Sequence, residues 1–178
     1  MNSCQVGFVM MLRLLRQLIR SLLLLCLCCL CLLGQATPST ASTHVYPEAA
    51  DRVMVRSLQT LRDRSGQAWQ VVFYKRLSQG QVDSVRLRLV GFPDQAAIDH
   101  SQPLAFELGL ADVWTSPDVT PAEFAPAVGE YDVRAVMEQV DSAAPLHLVL
   151  PLRSGTAELL VPPFAVREWQ EVMQWQPS

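Results

Sequence analysis

The residues of this chain that could do chemistry are few and scattered. Its three histidines are His44, His100 and His147, and no two have a ligand spacing such as i, i+4 on a helix, so no metal site is assigned. The densest polar cluster is Asp94, Asp99, His100 and Ser101, in the stretch from Phe92-Pro93 to Pro103. Acid–base work by His100 would need a nucleophile and an orienting carboxylate converging in space, which adjacency in sequence does not supply. No Gly-x-Ser-x-Gly elbow is present, and the plainer reading is a polar loop that turns the chain. The carboxylates lack the paired context of glycoside chemistry, and no glycine-rich phosphate loop occurs. Four tryptophans, Trp69, Trp114, Trp169 and Trp175, could line a pocket, but core packing is the ordinary fate of Trp69 and Trp169. Arg86 and Arg88 with Lys75 or Arg76 could form a basic stripe on one hairpin face, or simply a solvated strand face that discourages edge pairing. No catalytic, cofactor-binding or metal-binding residue is assigned.

The address is easier to read than the chemistry. All five cysteines, Cys4, Cys26, Cys28, Cys29 and Cys31, precede residue 32, so nothing later can form a disulfide or a thiolate site. Arg13, Arg16 and Arg20 lead into 12 uninterrupted apolar residues, Leu22–Leu33. A bilayer-spanning helix needs about 20 such residues and a signal-peptide core about 7–15. Gly34 and Ala36 suit the −3 and −1 positions of a cut after Ala36, and Ser39 and Ala41 offer a second register. The expectation is a cleaved secretory signal over 1–36, with an uncleaved anchor as the alternative. Leu27 before Cys28 and Leu30 before Cys31 make a poor lipoprotein pattern, and no adjacent arginine pair points to a twin-arginine route.

Charge divides the remainder. After residue 36 there are 11 Arg and Lys against 17 Asp and Glu, and Lys75 is the only lysine. From Arg52 to Arg88 eight basic residues face two acids, and from Leu89 to Ser178 three face 13. Either the surface is polarised, or basic strands lie beside acidic ones. An acidic domain without a basic, aromatic-rich motif argues against nucleic acid.

The elements that must carry these residues read mostly as strands. Thr37–Ala50, rich in Thr, Ser, Ala and Pro, reads as a tether. Strand patterning starts at Arg52, Arg62–Gly66 turns the chain, and Trp69–Leu77 puts Trp69, Val71, Phe73 and Leu77 on one face. After Ser78–Gln81, Val85, Leu87 and Leu89 alternate with Arg86 and Arg88, giving an antiparallel hairpin. Prolines cut Gly91–Gly129 into short pieces, with strands expected over Leu104–Leu110 and Asp112–Thr115. Gly129-Glu130-Tyr131-Asp132 is expected to open a helix capped by Asp132, with Val133, Val136, Met137 and Val140 on one side. Strands follow over Leu146–Leu152 and Ala157–Val161. A helix over Phe164–Gln174 then starts at Pro163 and docks through Val166, Trp169 and Met173. The expected fold is mainly β: an antiparallel sheet, as a sandwich or partial barrel, with two short helices in one domain over 51–178.

Several segments together carry a resemblance. They are Ser57–Asp63, Gly66 through Trp69-Gln70-Val71, Lys75-Arg76, Leu87–Pro93, Val128–Val133, Val161-Pro162-Pro163 and Glu168-Trp169-Gln170. Over about Arg52 to Trp175 the chain resembles the exported cyanobacterial family catalogued as domain of unknown function 3122. The resemblance implies a lumenal or periplasmic protein without established activity, and no catalytic residue carries over. The cysteine-rich leader departs from it.

The functional expectation is an exported, non-enzymatic binding or assembly module in the periplasm or thylakoid lumen, with a protein partner at or near a membrane. One alternative is a carrier of a small apolar ligand, a lipid or pigment, held beside Trp69, Phe73 and Trp114. Another is an exported hydrolase. No cofactor is expected.

Overall fold

The computed structural model describes residues 44–49, 51–109, 112–140 and 144–177, together with Arg16, Gln17 and Arg20. The chain separates into two compact units, residues 1–40 and 41–178. The cleavage positions and cysteines of the leader lie outside the described residues. No helix among the described residues is long and apolar enough to cross a membrane.

The second unit is built from two antiparallel sheets. One runs in the order β1-β2-β3-β4-β7, with β1 at His44–Ala49, β2 at Arg52–Arg62, β3 at Ala68–Ser78, β4 at Gln81–Val90 and β7 at Val128–Asp132. The other runs β6-β5-β8-β9, with β5 at Leu104–Leu108, β6 at Asp112–Ser116, β8 at Leu146–Leu152 and β9 at Gly155–Val161. Two helices complete it, α1 (Arg134–Met137) and α2 (Pro163–Gln174). The sheets meet at one corner through a bridge between Asp63 and Leu159, where Arg64 N–H donates to the Glu158 carbonyl at 3.1 Å. They do not close into a barrel, and the expected mainly β, antiparallel fold with two helices is found.

The alternation of residue types explains the register. Trp69, Val71, Phe73 and Leu77 on β3 and Val85, Leu87 and Leu89 on β4 face inward and are almost wholly buried. Leu104 and Phe106, Leu146, Leu148 and Leu150, and Ala157, Leu159 and Val161 do the same from the second sheet, in one shared core. Gln79 (φ 52°) and Gly80 (φ 75°) form the two-residue loop joining β3 to β4, with the left-handed backbone that matches strand twist. Helix α2 starts at Pro163, as its position predicts, and buries Val166, Trp169 and Val172. Trp169 stacks on Phe73 with centroids 5.2 Å apart and planes 13° from parallel.

Three expectations need correction. Residues 44–49 are not tether but strand β1, paired with β2 from His44 opposite Arg56 to Ala49 opposite Arg52. His-Val-Tyr is a strand-forming run that the surrounding Thr, Ser and Pro obscured. Val128–Asp132 is strand β7 and does not open a helix. Gly129 and Tyr131 face the core opposite Leu89 and Leu87, while Glu130 and Asp132 face outward opposite Arg88 and Arg86. The expected helix over 132–140 shrinks to Arg134–Met137. Val133 is its N-cap, although Asp132 still accepts the Arg134 N–H at 3.2 Å. Val133, Val136, Met137 and Val140 are all buried, so their apolar spacing was a sound burial signal.

Candidate functional site

The outward face of the five-stranded sheet holds the most organised set of polar side chains. Antiparallel pairing sets it out in rows. One row crosses five strands as His44, Arg56, Tyr74, Arg86 and Asp132, and the next reads Leu58, Val72, Arg88 and Glu130. Strand residues with period-2 spacing point the same way, so Arg86 and Arg88 on β4 meet Asp132 and Glu130 on β7 directly.

On the edge strand β7 Glu130 is only 6 % exposed, an uncommon place for a carboxylate unless it is fully paired. Its Oε1 accepts the Tyr74 hydroxyl at 2.7 Å, and its Oε2 accepts Arg88 Nε at 2.8 Å and lies 2.6 Å from the Arg88 terminal nitrogen. Its backbone N–H donates to Thr120 Oγ1 at 2.7 Å. Burial, and then the Glu130 carboxylate, push the Tyr74 phenol up to about 12, so it remains a neutral donor. The guanidiniums of Arg76 and Arg88 lie 5.0 and 5.6 Å from the centroid of the Tyr74 ring, and Phe124 lies 5.0 Å from Arg88. Arg86 Nη1 sits 2.6 Å from Asp132 Oδ2, an ion pair whose angle is not that of a hydrogen bond. Arg76 Nε reaches Glu48 Oε1 at 3.3 Å.

Arg56 differs from these three. It donates to the Tyr46 hydroxyl at 3.0 Å and lies 4.2 Å over the same ring, yet meets no carboxylate among the described residues. Its Nε is shielded from solvent and has no hydrogen-bond partner among the described residues. Beside it opens a groove of about 350 Å3, whose lining mixes Leu58, Val72 and Val90 with Arg56, Arg76 and Arg88. Leu58 is 46 % exposed and Gln70 is exposed too, so the groove is open to solvent.

The expected basic stripe is therefore present with Arg76, Arg86 and Arg88, but Lys75 is not part of it. Lys75 faces the opposite way, is 4 % exposed, and donates to the Met173 and Trp175 carbonyls at 2.6 and 2.8 Å at the end of α2. The sequence reading did not nominate Tyr74, Glu130 or Arg56. The signal that could have found the first two was pattern: Tyr74 sits on the polar parity of β3, and Glu130 falls opposite Arg88 once Val128–Asp132 is read as a strand.

The other nominated residues disperse. Asp99 accepts the Ser101 hydroxyl at 2.6 Å and the Gln102 amide at 2.7 Å, closing a local turn. Those bonds, Ser101 first, hold its carboxyl below the usual range. His100 Nδ1 lies 2.9 Å from Asp118 Oδ2, a partner 18 residues away, while Asp118 Oδ1 accepts the Thr120 N–H at 2.8 Å. Asp94, with φ 64°, lines a separate cavity of about 680 Å3 together with Arg153. His147 is half-buried on the outward side of β8, opposite Leu160. Trp69 and Phe73 are wholly buried, the first with its indole N–H donated to Asp63 Oδ2 at 3.0 Å. Trp114 is half-buried against the core.

Two glycines of the resembling segments make room for large rings. A Cβ on Gly91 would stand 2.9 Å from the Trp69 ring and from Ala96, and one on Gly129 would stand 2.9 Å from the Tyr131 ring. The sequence profile of a family described as protein of unknown function (DUF3122) matches residues 41–172, covering both glycines, both sheets and most of α2. The chain belongs to the DUF3122 family. No curated protein and no solved structure matches it. Within the DUF3122 match lie β1 and the whole Tyr74–Glu130–Arg88 network, so the matched region begins with the folded unit rather than at Arg52.

Proposed function

We propose that this domain is a non-enzymatic binding or assembly module, exported to the periplasm or thylakoid lumen, which docks a protein partner through the outward face of its five-stranded sheet. The observation that carries the reading is the set of Arg56, Arg76 and Arg88 on this face with Tyr46 and Leu58 exposed beside them, Arg88 being held by the buried Glu130 and Tyr74. Arginine and tyrosine are enriched at the energetic centres of protein interfaces, because each combines apolar contact area with directed donors. Here cation–π stacking and the Glu130 network fix their positions, so little side-chain freedom remains to be lost on binding. Export is argued from the leader alone: three arginines, a short apolar core and Gly34-x-Ala36. The carrier alternative draws no support from Trp69 and Phe73, whose rings are already used in packing.

The test is site-directed photocrosslinking in the protein's own host, with benzoylphenylalanine at Leu58 and, as a control, at Val113 on the other sheet. A discrete crosslinked protein from Leu58, lost when Val72→Glu is added, is the expected result. The same products from both positions, or none from Leu58, would overturn the reading. N-terminal sequencing should find the mature chain beginning at Thr37 or Ser42. A full-length cytoplasmic chain would refute export.

A further inference from the structure

We infer that the groove beside Arg56 takes a carboxylate of an acidic–aliphatic peptide segment on the partner protein, with the acid seated on the Arg56 guanidinium and an adjoining aliphatic side chain against Leu58, Val72 and Val90. The inference rests on the reading of this face as a docking surface and names what it would recognise.

Charge complementarity decides the class of ligand. Each of the other arginines that line the groove has a carboxylate: Arg76 has Glu48 and Arg88 has Glu130. Arg56 has none among the described residues, and its Nε is screened from water without a partner. The Arg56 charge has no acid beside it among the described residues, and a carboxylate is the group whose two oxygens match a planar guanidinium fork. Tyr46 holds the guanidinium in place from the β1 side by one hydrogen bond and a ring contact, so the fork is oriented before any ligand arrives. A bare inorganic anion would satisfy Arg56 but leave the apolar side of the groove unused. Leu58 at 46 % exposure, with Val72 in its own row and Val90 in the next, calls for hydrocarbon next to the charge. An open groove of about 350 Å3 is at the lower limit for a ligand-enclosing pocket, commonly about 300–1,000 Å3. A single-chain lipid in it would remain largely wet, whereas a protein carrying the acidic segment would cover the rest of the face.

The experiment measures binding of a fluorescent peptide, acetyl-Leu-Glu-Leu-Glu-Leu, to protein purified from its own host, alongside the Gln-for-Glu peptide. The acidic peptide should bind saturably, and the Gln peptide at least about tenfold more weakly, the scale of one lost charge-assisted fork. Arg56→Gln should weaken the acidic peptide by a similar factor, while Arg153→Gln, on the separate cavity, should leave it unchanged. If Arg56→Gln unfolds by circular dichroism, Leu58→Gln serves instead and should also weaken binding. Equal binding of the two peptides, wild-type affinity in the variants, or displacement by decanoate or inorganic phosphate as effective as that by unlabelled peptide would each overturn the inference. A Leu58 photocrosslink that survives Arg56→Gln would retain the docking face and sink only its proposed ligand.

Discussion

Lys75 stands in the core-facing register of β3, between Phe73 and Leu77, with its ammonium on the last carbonyls of α2. A cation at a helix C-terminus satisfies carbonyls that have no intrahelical donor and opposes the negative end of the dipole. Lys75→Met keeps the hydrocarbon stem and removes those donors. It should lower stability by about 1–3 kcal/mol, read as a lower thermal midpoint. The inward position was legible in the sequence, since residues 69, 71, 73 and 77 are all core types and 75 shares their parity. Its charge argued the other way, and parity won because two carbonyls were waiting. Asp63 is a second single-residue lever. Burial alone would raise its carboxyl, but hydrogen bonds from Ser65, Trp69 and Gln67 together hold it below the ordinary 3.8. A depressed folded value means stability that is present above the unfolded value and lost as pH falls through the folded one. Asp63→Asn should therefore destabilise at neutral pH, and the gap to wild type should narrow below about pH 4 in urea titrations, as the wild-type carboxylate protonates.

Among the elements, Gly91 just after β4 and Gly129 inside β7 are tied to aromatic neighbours in the same way. Adding a methyl at either brings it to 2.9 Å from a buried ring, so Gly91→Ala and Gly129→Ala should each cost about 1–3 kcal/mol by overpacking. The measurement is chemical denaturation, and a neutral result at both would show that the rings are free to move aside. Long strands with strict alternation, β3, β4 and β8, were legible because packing on one face imposes period 2 over many residues. Short elements were not. In β7 the five residues are Val, Gly, Glu, Tyr and Asp, and their strand character depends on Arg86 and Arg88 lying opposite, which local sequence cannot report. The Tyr74–Glu130–Arg88 network was hidden for the same reason, since its members lie up to 56 residues apart. β1 was hidden by composition, its strand-forming residues being set among tether-like neighbours.

For the folded unit as a whole, the charge asymmetry along the chain is partly resolved by pairing. Arg64 meets Glu158, Arg86 meets Asp132, and Arg88 meets Glu130, each joining the basic stretch to the acidic one. Arg64, whose side chain is 74 % exposed, should contribute little, because exposed pairs are typically worth about 0–1 kcal/mol. Raising salt should therefore leave the thermal midpoint almost unchanged in Arg64→Ala relative to wild type, but not in Arg88→Ala, which strands a buried carboxylate. Division at residue 40 leads to a further expectation. Residues 41–178 expressed alone should unfold in one cooperative transition with a strand-dominated circular dichroism spectrum, and a molten or helical spectrum would contradict the described fold.

The walled-in position of the chain's only lysine has a practical side. Primary amines are the handles that acetylating agents, succinimidyl esters and most bifunctional linkers grip, and this domain offers them its N-terminal amine and almost nothing else. Modification of Lys75 must wait until the end of α2 swings away, so its rate under mild labelling becomes a clock for that opening, timed one helix at a time.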